Sequence, residues 1–62
     1  MTWAELERLL KRETDYKFNK HRSGHDEWIN TVTGKTETIG RHKSQEVPKD
    51  VLEKILRRVG LK

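Results

Sequence analysis

The sequence predicts a small α+β fold, with two helices packed on one face of a three-stranded antiparallel sheet. Three observations predict it. Apolar residues recur at helical spacing near both ends of the chain, in residues 3–10 and 51–59. The segment between them alternates apolar and polar residues in the manner of half-buried strands. Inside that segment, Thr33-Gly34-Lys35 is a turn signal, with Gly34 supplying a positive φ.

The elements follow in order. Thr2-Trp3-Ala4-Glu5 fits a capping box, with Thr2 as N-cap and Glu5 at the third helical position. Trp3, Leu6, Leu9 and Leu10 then define one helical face, and helix formers fill the other positions, which predicts a helix over roughly residues 3–13. Trp3 is expected to pack in the core against the second helix. Tyr16-Lys17-Phe18-Asn19 reads as a strand, with Tyr16 and Phe18 sharing a core face. Lys20 to Gly24 is polar and reads as a loop. Residues 27–32 are rich in β-branched and aromatic side chains and read as the second strand. If Trp28 faces the helices, Asp26, Asn30 and Val32 lean the same way, and His25, Glu27 and Ile29 lean to the open face. Thr36-Glu37-Thr38-Ile39 returns as the third strand. After a polar stretch, Pro48 suits the first turn of a helix, and Asp50 favours its positive start. Val51, Leu52, Ile55, Leu56 and Val59 form its apolar stripe. Arg57, Arg58 and Gly60 suit its end. The resulting order, α-β-β-β-α, is that of a double-stranded-RNA-binding-domain-like fold.

Composition narrows the classes of function. The 62 residues make one domain, 1–62, and a chain of this size buries only about 60% of the surface its unfolded form exposes. With no cysteine there is no disulfide framework, no Cys-based zinc site and no thiol chemistry. No apolar run approaches the ~18 residues of a membrane span, so no membrane association is expected. The N-terminus opens on a charged helix pattern and not on a signal peptide, so the protein is expected to be cytoplasmic. The net charge of +4 is unevenly placed. Residues 1–34 carry six Lys/Arg and six Asp/Glu, whereas residues 35–62 carry eight against four. Such a basic half is either a solvated surface or a phosphate-binding face.

The chain resembles the HicA toxin family, the small RNA-cleaving partners of HicB antitoxins. The resemblance runs over nearly the whole chain. It lies in the early helix ending near Lys11-Arg12, in Ser23-Gly24-His25, and in the hairpin Thr33-Gly34-Lys35. It continues in Ile39-Gly40-Arg41-His42 and in Glu46-Val47-Pro48-Lys49, and closes with Val51-Leu52, Ile55-Leu56 and Gly60-Leu61. The family often shows Gly-Ser-His-His where this chain has Ser23-Gly24-His25-Asp26; the Ser and Gly are exchanged and the second histidine is replaced. The resemblance implies that His25 is the catalytic histidine of a metal-independent endoribonuclease (an mRNA interferase). It also implies mRNA as substrate, a HicB-type antitoxin as protein partner, and no cofactor.

The residues themselves support that chemistry in general terms. Histidine titrates near neutrality and serves as a general base. RNA supplies its own nucleophile, the 2′-hydroxyl, so no metal is required. Lys20, Arg22, Ser23, Gly24, Lys35, Arg41, Lys43 and Lys49 are the expected RNA contacts, with Arg41, Lys43, Lys35 and Lys49 near the open side. Asp26 either holds the neighbouring imidazole protonated or lies on the other strand face. His21 and His25 stand four apart, a metal-binding spacing on a helix but not in a loop. His42 is read as surface, and Trp28 as core in preference to a base-stacking platform. The rival reading is a non-catalytic RNA-binding module of the same fold.

Overall fold

The computed structural model describes residues 1–62. Its elements are α1 (Trp3–Glu13), β1 (Tyr16–Arg22), β2 (His25–Asn30), β3 (Thr36–Gly40) and α2 (Lys49–Arg58). The strands form one antiparallel sheet in the order β1-β2-β3. The α-β-β-β-α order expected from the sequence is the observed one.

Both helix ends are set locally. The Glu5 N–H donates to the Thr2 hydroxyl at 3.2 Å, and the Thr2 N–H donates to the Glu5 carboxylate at 2.8 Å. This is the capping box read from the sequence, and it satisfies two amide groups at the start of α1 that have no helical partner. Helix α2 lacks a side-chain cap, and Pro48 stands as its N-cap, one residue earlier than the first-turn place. At its other end the Gly60 N–H donates to the Arg57 carbonyl at 3.2 Å and the Leu61 N–H to the Leu56 carbonyl at 2.8 Å. That bond pair is a Schellman motif, and it requires the positive φ of 84° that Gly60 adopts.

The core lies between the helices and one sheet face. Leu6 and Leu10 from α1, Ile55 from α2, Tyr16, Trp28 and Ile39 from the sheet, and Val47 are all buried. Trp28 sits at its centre, and its indole N–H is buried without a hydrogen-bond partner. The ring therefore serves area burial and is not a base-stacking platform. Along β2, Asp26 and Trp28 are buried and His25, Glu27 and Ile29 are only partly so, which is the parity expected from the sequence. No helix is long and apolar enough to cross a membrane.

Three local expectations are corrected. Lys20, His21 and Arg22 belong to strand β1 and not to a loop, which shrinks to Ser23-Gly24. Phe18 pairs with Trp28 yet remains exposed, because β1 is an edge strand. The register also slips between Phe18 and Lys20, with Asn19 as the extra residue of a β-bulge. Strand β2 begins two residues earlier than expected and ends at Asn30, leaving Val32 exposed in the turn. Trp3 packs against the core, and its indole also lies against Gly40 of β3, where a Cβ would come within 2.5 Å of the ring.

Candidate nucleic-acid interface

The tip of the β1–β2 hairpin gathers most of the expected functional residues. Ser23-Gly24 joins the strands, and Gly24 takes a φ of 76° with open space around it. Glycine is needed there for its backbone conformation and not for room. The tight turn makes His25 the first residue of β2, paired with Arg22 on one side and Gly40 on the other. The His25 side chain leans to the face that no helix covers, and it is partly exposed.

Glu27 follows His25 on that face. It accepts from the Asn19 amide at 2.8 Å and from the Arg22 Nε at 3.0 Å, and the Arg22 Nη2 lies 2.9 Å away. The Asn19 hydrogen bond first, then that of Arg22, holds the Glu27 carboxyl below its ordinary range. Lys20 pairs with Glu27 across the strands and is exposed. The open face beside His25 thus carries two cations, Lys20 and Arg22, and one carboxylate that fixes the position of Arg22.

The opposite face of the same tip carries a second cluster. Asp26 is buried, and its Oδ1 lies 2.7 Å from His21 Nδ1. Arg41 Nε is 3.6 Å from Oδ1, and Lys43 Nζ is 3.6 Å from Oδ2. Lys43 also bonds to Glu7 on α1. Burial opposes the charge on Asp26, but the His21 hydrogen bond and the His21, Lys43 and Arg41 charges outweigh it and hold its carboxyl below the usual range. Asp26 takes the second of its two expected places, on the strand face away from His25.

The remaining residues divide. Arg41 and Lys43 reach the hairpin tip, but they gather round Asp26 and not on the open side. Lys35 accepts through its carbonyl from the Asn30 N–H at the far end of β2. The 6-residue strand puts it roughly 17 Å from His25 at the ~3.3 Å rise of a strand. Lys49 begins α2 and lines a charged surface with Asp50, Glu53, Lys54 and Arg57, apart from the tip. His42 is exposed in the connection after β3. His21 pairs with Asp26 and His25 with Arg22 at adjacent positions of the ladder, so the two rings point to opposite faces and do not converge on a metal.

The sequence places Asp26 inward but does not show that His21, Arg41 and Lys43 gather round it. The signal was its inward lean, since a carboxylate buried beside Trp28 requires partners. No protein-family model, curated protein or solved structure matches the chain significantly.

Proposed function

We propose that this chain is a HicA-like toxin of a type II toxin–antitoxin system. In this reading it is a cytoplasmic, metal-independent endoribonuclease that cleaves mRNA with His25 as general base. The observation that carries the reading is the position of His25, partly exposed on the uncovered sheet face, paired with Arg22 and beside Lys20. The order of motifs in the sequence supports it independently.

The chemistry is self-contained. The His25 imidazole takes the proton of a 2′-hydroxyl, and the 2′-oxygen forms a bond to the adjacent phosphorus. The bond from phosphorus to the 5′-oxygen breaks, and that oxygen takes a proton from solvent. The products are a 2′,3′-cyclic phosphate and a 5′-hydroxyl. Lys20 and Arg22 offset the negative charge that builds on the phosphate. A HicB-type antitoxin laid across the open face would cover His25, with the half-buried Ile29 as apolar contact.

Cleavage of a purified transcript by wild type, His25→Ala and His25→Gln tests the reading, with circular dichroism to check the fold. Loss of cleavage in a folded His25→Ala protein supports it. Full activity in that variant moves the catalytic role to another residue. A wild type that binds RNA in a salt-dependent way and never cuts it is the non-catalytic RNA-binding module.

A further inference from the structure

We propose that His21, Arg41 and Lys43 together bind a phosphodiester group of a nucleic-acid strand, with Asp26 as the positioning residue beneath them. The site rests on the nucleic-acid part of the reading above and not on cleavage. It lies on the opposite sheet face from His25.

Three features of the cluster point to an anion. The first is the layering of charge. The Asp26 side chain is only 3% exposed, while those of His21, Arg41 and Lys43 are 66%, 44% and 49% exposed. The negative charge lies inside and the positive charge faces solvent. The second is preorganisation. One carboxylate already gathers three cationic groups from β1 and from the connection after β3, so a ligand need not order them. The His21 Nδ1–H donates to Asp26 at 2.7 Å, which leaves Nε2 free to donate outward when the ring is protonated. The Phe18 ring, with centroids 4.9 Å apart, backs the imidazole.

The third feature is the charge count. The groups around His21 are Asp26 on β2, Arg41 and Lys43 after β3, and Glu7 on α1, which holds Lys43 from behind. With His21 protonated, three cations face two carboxylates. The surplus of one positive charge matches the single negative charge of a phosphodiester. With His21 neutral the cluster is balanced and the attraction falls. Binding should therefore be stronger at a pH low enough to protonate His21 than at one where it is neutral.

The test uses a fluorescently labelled single-stranded DNA oligonucleotide, which lacks the 2′-hydroxyl and cannot be cut by the chemistry above. Affinity is measured by anisotropy across salt at about pH 5.5 and about pH 8, for wild type, His21→Gln, Arg41→Gln and His42→Gln. Thermal melts check each fold. One lost phosphate contact lowers the log–log salt slope by about 0.7, which is about fivefold in affinity at 0.1 M salt. At the lower pH, His21→Gln and Arg41→Gln should each show that loss. The pH dependence should vanish in His21→Gln and persist in His42→Gln. If His21→Gln fails to fold, the salt slope of Arg41→Gln decides.

Unchanged salt slopes in both variants, or a wild-type pH dependence retained in folded His21→Gln, would overturn the proposal. Inorganic phosphate, titrated with the His21 ring signals followed by NMR, identifies the source. Shifts at His21 together with an oligonucleotide affinity indifferent to His21→Gln would mean a free-anion site, and would also overturn it. A wild type that binds the oligonucleotide as described but cuts no RNA refutes the enzymatic reading and leaves this site standing.

Discussion

Gly40→Ala should destabilise the domain by about 2 kcal/mol, the middle of the range for overpacking a filled site. A Cβ at Gly40 would stand 2.5 Å from Trp3 Cε2 and 2.9 Å from both Cδ2 and Cζ2. Carbon atoms pack at about 3.5–4.0 Å, so the methyl group overlaps the ring by about 1 Å. The indole is rigid and cannot yield as the end of a flexible chain would. It is also tethered at its root: the Trp3 N–H donates to the Gln45 carbonyl at 3.1 Å, and the Ala4 N–H donates to the Lys43 carbonyl at 3.0 Å. Moving the ring strains the start of α1 or the connection after β3. At ~0.05–0.15 kcal/mol per residue, a chain of 62 residues has a total stability of about 3–9 kcal/mol, so the loss is a large share. The melting temperature should fall by about 8–16 °C, at ~4–8 °C per kcal/mol for a domain of this size. Thermal and urea unfolding read this directly. Adding Trp3→Ala should make the second change nearly free, giving a coupling energy of about 2 kcal/mol in a double-mutant cycle. A Gly40→Ala protein that melts with wild type, or additive effects in the cycle, would refute the overlap argument.

Four further outcomes follow from the structure. Asp26 has a folded-state pKa below its unfolded value of about 3.9, so its contribution is complete above that pH and is lost as pH falls through the lower folded value. Asp26→Asn should therefore flatten the acid limb of a plot of urea midpoint against pH, and should cost about 1–3 kcal/mol at neutral pH for the buried polar partner lost. Arg58→Ala leaves the buried Glu37 carboxylate without the guanidinium that meets it at 2.9–3.1 Å, and urea titration should show a loss of about 2 kcal/mol, reduced from the fully buried case by the exposure of Arg58. Thr2→Ala removes the cap of α1 and should lower stability by about 1 kcal/mol in the same assay. The proposed RNA cleavage, if present, should survive EDTA, and activity lost in chelator and restored by one divalent ion would overturn the proposed metal-free mechanism.

The helices were legible because each carries its own local signals. The capping box fixes the start of α1, and an apolar stripe fixes the inner face of α2. Strand β1 was legible only as far as Phe18. Beyond it, Lys20, His21 and Arg22 are polar on both faces, so the alternation that marks a half-buried strand disappears although the backbone pairing continues. The bulge at Asn19 has no signature in side-chain type either. Among site residues, the open-face place of His25 followed from strand parity. The gathering of His21, Arg41 and Lys43 did not, because pairing across 15 to 20 residues depends on register and on where the connection after β3 crosses the tip. Glu37 was hidden for a similar reason. Its burial is bearable only because Arg58, on the far side of the chain, arrives to meet it.

One stretch of backbone ties the two faces of the hairpin tip together. Gly40 pairs with His25 across the sheet, and the next residue, Arg41, turns under the tip to Asp26 and reaches the Arg22 carbonyl at a long 3.5 Å. The position of Gly40 is in turn limited by the Trp3 ring against it. A packing contact at the start of α1 therefore governs where both His25 and Arg41 stand. Side chains at positions 21 and 25 point to opposite faces, so substitutions there should act independently, whereas a shift of Gly40 displaces the support of both. A folded Gly40→Ala protein should for that reason weaken oligonucleotide binding and the proposed RNA cleavage together. Cleavage and binding rates unaffected in that protein would show that the tip holds its geometry without the Trp3 contact, and that the Asp26 cluster alone is enough to position Arg41.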